Sequence, residues 1–126
     1  MTLFDTLGRL ESYLPILPRL EHVITVMDRA LPYDNPDGSY KCPECDDVSY
    51  AVHSALSSDK GIPFEVEEGS HALIVALDGQ EVVSSLDASS VFVMCEGRFV
   101  VLGPGSWKRA VAVSLPEAFR DVIFTF

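Results

Sequence analysis

The chain has 126 residues, 48% of them hydrophobic and 10% aromatic, with a formal net charge of −10 from 19 acidic and 9 basic residues. That length and apolar fraction predict one packed domain and argue against disorder, while the negative charge repels phosphate backbones and anionic membranes. Neither nucleic acid nor a membrane is an expected partner, since no apolar run approaches the roughly 20 residues of a membrane helix. The opening "MTLFDTLGRL" lacks the basic start and apolar core of a signal peptide, so a cytoplasmic location is expected.

Two helices are predicted first. Thr2 and Asp5 have the spacing of a capping box, and Leu3, Phe4, Leu7, Leu10 and Leu14 then share one helical face. After "LPILP", Pro18 suits the first turn of a second helix, with Leu20, Val23, Ile24, Met27 and Leu31 as its stripe. The turn-rich "LPYDNPDGSY" closes this part.

Short strands follow. In "VSYAVHSAL", Val48, Tyr50 and Val52 alternate with Ser49, Ala51 and His53. "PFEVEE" puts Glu65 and Glu67 on one side, Phe64 and Val66 on the other. "HALIVAL" is apolar enough to be buried on both sides. Asp78-Gly79 joins it to "QEVVSS" with a strong hairpin signal, and Glu96-Gly97 joins "VFVMC" to "RFVVL" in a weaker version. "RAVAVS" and "RDVIFTF" complete the count at roughly eight strands. Consecutive helices before consecutive strands exclude βαβ crossovers. The reading is a mainly β chain: a single domain over 1–126, with helices in 1–31 packed outside an antiparallel jelly roll over 40–126. Exposed strand edges on such a roll predict a homodimer.

The candidate chemistry is sparse. Cys42 and Cys45 in "YKCPECDD" admit three readings, turn residues, zinc ligands or a redox pair, of which turn residues is the expected one. Zinc needs four N or S ligands and a second pair is missing; a thioredoxin-like pair needs a strand-to-helix junction that is missing too. Glu65 and Glu67 could act as metal ligands or as acid and base in a barrel mouth, or form a solvated strand face. His22 lies opposite its helix stripe, His53 faces a cavity or water, and His71 opens a buried strand. "GPGS" is a turn between strands, and no serine nucleophile elbow is present.

The ordered landmarks "MTLFDTLGRLESYLP", "VSYAVHSALSS", "PFEVEEGSHALIVALDGQE", "GRFVVLGPGSW" and "FRDVIFTF" span nearly the whole chain. In that order they resemble the YhcH/YjgK/YiaL family, the β-galactosidase β-subunit-like proteins. The resemblance implies a cupin-like jelly roll (a double-stranded β-helix) with a divalent transition metal such as zinc inside the barrel. It also implies a role with sugars such as sialic acid, with anomerase or epimerase-type activity. Carried over by position, Glu65 matches the family's signature glutamate, and Gly79 and Glu81 its Gly-x-Glu. Pro104 matches a later proline. The family's histidines fall on Glu67, with His71 the nearest imidazole, and on Lys108; its closing lysines fall on Asp121 and Thr125. The metal ligands are thus replaced, no metal or other cofactor is expected, and no catalytic residue is assigned. The expected function is a carbohydrate-related small-molecule binder, with a sugar anomerase or epimerase as the alternative. Its expected binding residues are Glu65, Glu67, His71, Glu81, Trp107 and Lys108, gathered in the barrel interior.

Overall fold

A computed structural model describes residues 2–126. The strands are β1 (Leu3–Thr6), β2 (Gly38–Cys42), β3 (Cys45–Leu56), β4 (Ile62–Val66), β5 (Ala72–Asp78), β6 (Glu81–Ser85), β7 (Val91–Met94), β8 (Arg98–Leu102), β9 (Gly105–Val111) and β10 (Ala118–Thr125). They form a six-stranded sheet, in the order β1-β8-β5-β10-β3-β2, and a four-stranded one, β4-β9-β6-β7. Every ladder within the two sheets is antiparallel. The helices are a 3-10 segment (Leu7–Tyr13), α1 (Leu20–Asp28) and the single turn α2 (Leu31–Asp34).

The pattern of β5 explains the layering. All of Ala72–Leu77 is buried. Leu73, Val75 and Leu77 join Phe99, Val101, Val122 and Phe124 against Leu10, Leu20, Val23 and Val26 of the helical segment. Ala72, Ile74 and Ala76 face the other way and meet Val66, Val83, Met94 and Trp107 of the four-stranded sheet. A strand buried on both faces must lack polar side chains on either, and "ALIVAL" satisfies this. The chain is therefore three layers: helices, wide sheet, narrow sheet. Arg120 ties the outer layer down by donating from Nη1 to the carbonyl of Pro32 at 2.9 Å.

Several expectations are corrected. Leu3–Thr6 is a strand, not the first turn of a helix, because its backbone pairs with β8, Leu3 opposite Val101 and Phe4 opposite Val100. The helical stripe over Leu20–Leu31 holds, but the helix proper ends at Asp28 and Ala30 takes a left-handed conformation (φ 55°). "RAVAVS" gives only its start to β9, whose ladders end at Val111.

Asp78-Gly79 and Glu96-Gly97 do not close hairpins. β5 and β6 lie in different sheets, as do β7 and β8, so both dipeptides carry the chain across the sandwich. At Gly79 the cause is visible: φ is 69°, and a Cβ there would lie 2.4 Å from the Ala118 carbonyl oxygen and 2.9 Å from the Phe119 Cα. Glycine is needed for close approach to β10, a demand that dipeptide statistics do not distinguish from a hairpin turn. A true two-residue hairpin occurs at Pro43-Glu44, where Cys42 and Cys45 are ladder partners.

Gly79→Ala should therefore destabilise the fold by about 2 kcal/mol or more, since strain and overlap with backbone coincide. Urea unfolding of the two proteins would measure it, and an unchanged midpoint would contradict the packing described for this crossing.

Candidate functional site

Six strands face four, and this inequality leaves part of the wide sheet's inner face poorly covered. On β3, Val48, Tyr50 and Val52 are buried toward the helices, while Ser49, Ala51, His53 and Ala55 point the other way and are only half-buried. On β10 the same inner face carries Asp121, Ile123 and Thr125, opposite His53, Ala51 and Ser49 respectively. The trough thus runs from a polar end at His53 and Asp121 to a mouth at Thr125.

The polar end is built by a break in β9. Between Val82 and Ser84 the β6–β9 register shifts, and Ala110 adopts φ 60°. A left-handed alanine costs about 1 kcal/mol, and here it turns its N–H to Oε1 of Glu81 at 3.0 Å. Glu81 is only 1% exposed. Burial first, then the neighbouring Asp121 carboxyl, push the Glu81 acid up to about 9, so it is protonated at neutral pH. As an ionised group its Oε2 would have no partner, whereas the protonated oxygen can donate to Asp121. Asp121 is fully buried and balanced by Arg109, whose Nη1 lies 3.2 and 3.3 Å from its two carboxylate oxygens. The same Nη1 lies 3.3 Å from Nδ1 of His53, whose ring packs on Phe119. One cation, one anion, one neutral acid and one imidazole make a nearly neutral interior cluster.

The mouth is a concave pocket of about 310 Å³. Phe64, Val66, Ala72 and Ile123 supply apolar wall, and Glu67, Ser70, His71 and Thr125 supply polar groups. His71 exchanges backbone hydrogen bonds with Phe126 and stacks its ring on that residue at 5.5 Å. Burial holds its imidazole below the ordinary value, favouring the neutral form.

The residues singled out from sequence are therefore divided among four places. Glu65, Glu67 and His71 do meet at the mouth, although Phe64 and Val66 are the residues of β4 that enter the core. Glu65 stays exposed and accepts a bond from Ser106 Oγ at 2.8 Å across the β4–β9 ladder. Glu81 lies instead in the buried polar cluster. Trp107 points inward but is core, 8% exposed, with Nε1 donating to the Gly103 carbonyl at 3.1 Å. Lys108 follows it on β9 and faces out beside Ser84. The cation that reaches the interior is not Lys108 but Arg109, one residue further on, because strand alternation assigns that neighbour to the interior.

His53, Arg109 and Asp121 lie outside the site residues expected from the sequence. The signal was available: Asp121 shares parity with Ile123 in a strongly apolar final strand, and Arg109 shares parity with Trp107.

The cupin-type metal does not fit this interior. Among the described residues no three His, Cys, Asp or Glu side chains converge as ligands. The carboxyls are already committed, Glu81 to a backbone N–H and Asp121 to a guanidinium that would repel a cation.

No protein-family model matches the chain, and no curated protein matches it in sequence. Solved structures do match in shape. A cupin-2 domain protein from Shewanella frigidimarina aligns with a TM-score of 0.50 at 12% identity, covering 78% of this chain and 89% of its own. The plu4264 protein of Photorhabdus luminescens aligns at 0.52 with 10% identity, covering 70% and 72%. At such identities the likeness concerns fold alone. The fold is a cupin-like antiparallel jelly roll with its helices packed outside. No helix among the described residues is long and apolar enough to cross a membrane.

The Glu81 acid makes stability depend on pH. Its ordinary value is 4.5 and its folded value about 9, so the unfolded chain releases this proton first. Between those limits unfolding releases a proton, and stability falls as pH rises from about 4.5 to about 9. Thermal melts across this range should show Tm declining for the parent and a flatter profile for Glu81→Gln. Parallel profiles would rule out a neutral Glu81.

Proposed function

We propose that this chain is a divergent YhcH/YjgK/YiaL-like protein that binds a small polyhydroxylated molecule, most simply a monosaccharide, without the family's metal. The observation that carries the reading is the mouth pocket. At about 310 Å³ it is of ligand size, apolar on its walls, with a few convergent polar groups. Phe64 offers a ring against which the C–H face of a sugar can lie, and Glu67, Ser70, His71 and Thr125 offer acceptors and donors for its hydroxyls. The ordered sequence landmarks support the carbohydrate assignment. The loss of the metal ligands supports binding over metal-assisted chemistry.

Calorimetric titration with a panel of neutral, amino and acidic monosaccharides tests this. At least one should bind, and His71→Ala and Glu67→Ala should each weaken it about tenfold, the loss of roughly one good hydrogen bond. No heat from any sugar, or undiminished binding by both variants, would overturn it.

Pairing of two copies belongs to the same reading. β7 is a free sheet edge with Val91 54% and Val93 40% exposed and no charged residue in it. Such edges are normally blunted. Sedimentation at micromolar concentration should give a dimer, and a monomer alone would exclude it.

A further inference from the structure

The cysteine pair has no part in the pocket, yet its placement has chemical content. Cys42 ends β2, Cys45 begins β3, and the two are ladder partners across the Pro43-Glu44 turn, beyond a register shift between Lys41 and Cys42. Opposed residues of an antiparallel pair have Cα atoms about 4.5–5.5 Å apart, inside the window of about 4.4–6.8 Å that a disulfide spans. Both thiols are free, as is the chain's third, Cys95. The two partners differ in access. Cys42 is 5% exposed and belongs to the core beneath the helices, whereas Cys45 is half-buried at its margin. The hairpin is also held in place from outside: Arg29, the residue that caps the end of α1, donates to Glu44 at 3.0 Å.

From this juxtaposition we infer that Cys42 and Cys45 form a reversible intrachain disulfide, a modification site in which Cys45 is the attacking thiol and Cys42 the resolving one. The oxidant is a small disulfide of the glutathione class. The Cys45 thiolate, having given its proton to solvent, attacks one sulfur of that disulfide. It forms a mixed disulfide and expels one small thiolate. Cys42 then loses its proton and attacks the Cys45 sulfur, expelling the second small thiolate. Two protein thiols are oxidised, one small disulfide is reduced to two small thiols, and the two protons pass to them. The order of attack follows from access and thiolate supply. Burial, with the Cys45 thiol beside it, pushes Cys42 up to about 11, so it is a poor first nucleophile. Once Cys45 is in the mixed disulfide, the ladder holds the two sulfurs together and favours resolution over release.

The test equilibrates the folded, full-length protein with excess oxidised glutathione, followed by thiol counting and peptide mapping. Cleavage after Lys41 and Lys60 yields one peptide holding Cys42 and Cys45 but not Cys95. The expected result is loss of two of the three thiols, with that peptide lighter by two hydrogens and carrying no glutathione. In Cys42→Ser the mixed disulfide on Cys45 should persist; in Cys45→Ser, Cys42 should stay unmodified. Three free thiols after equilibration, a lasting glutathione adduct on Cys45 of the parent, or oxidation that instead joins Cys95 to another chain would each overturn the assignment.

Discussion

The burial of β5 on both faces is the constraint on which the rest of this structure depends. A strand with Leu73, Val75 and Leu77 on one side and Ala72, Ile74 and Ala76 on the other cannot meet water on either. One side is covered by the helical segment, the other by the four-stranded sheet. The small inner residues Ala72 and Ala76 then decide how closely the narrow sheet approaches, and Trp107, Met94 and Val83 fill what remains. The N-terminal helices are thus a wall of the core. Leu20, Val23 and Val26 are fully buried because the outward side of β5 needs them.

The same geometry accounts for the polar cluster. A jelly roll interior is a place where charge is costly, and two carboxyls, a guanidinium and an imidazole meet at one end of this one. They are tolerated because each is compensated: Asp121 by Arg109, Glu81 by keeping its proton and by the N–H that the left-handed Ala110 turns inward. The positive charge of this interior is a fixed guanidinium, that of Arg109. The interior is therefore nearly neutral, and the ligand-sized space lies at the mouth.

Much of this could be read from the residues. The alternation of Val48, Tyr50 and Val52 with Ser49, Ala51 and His53, the doubly apolar "ALIVAL" and the helical stripe from Leu20 onward each match the observed burial. What escaped depends on partners distant in the chain. Leu3–Thr6 has a helix-like pattern locally and becomes a strand only because β8 offers it a free edge. Asp78-Gly79 carries the signal of a hairpin, but the neighbour that demands glycine is Ala118, nearly forty residues away in the chain. At the site, Lys108 and Arg109 are adjacent cations, and the inward one is fixed by its step from Trp107 along β9 and by the break at Ala110. Composition around "WKRAV" does not announce that break.

The pairing of β1 with β8 also bears on how the chain reaches its fold. Leu3–Thr6 complete their ladder only against Arg98–Val101, and Leu7 donates its N–H to the carbonyl of Gly97. The 3-10 segment that follows β1 packs locally on α1, but the strand before it is placed only by β8. In a chain emerging from the ribosome, β2 and β3 can zip early through their short turn, while β1 must wait for β8, which begins only at Arg98. Such long-range closure carries a larger chain-entropy cost than the β2–β3 hairpin and slows folding.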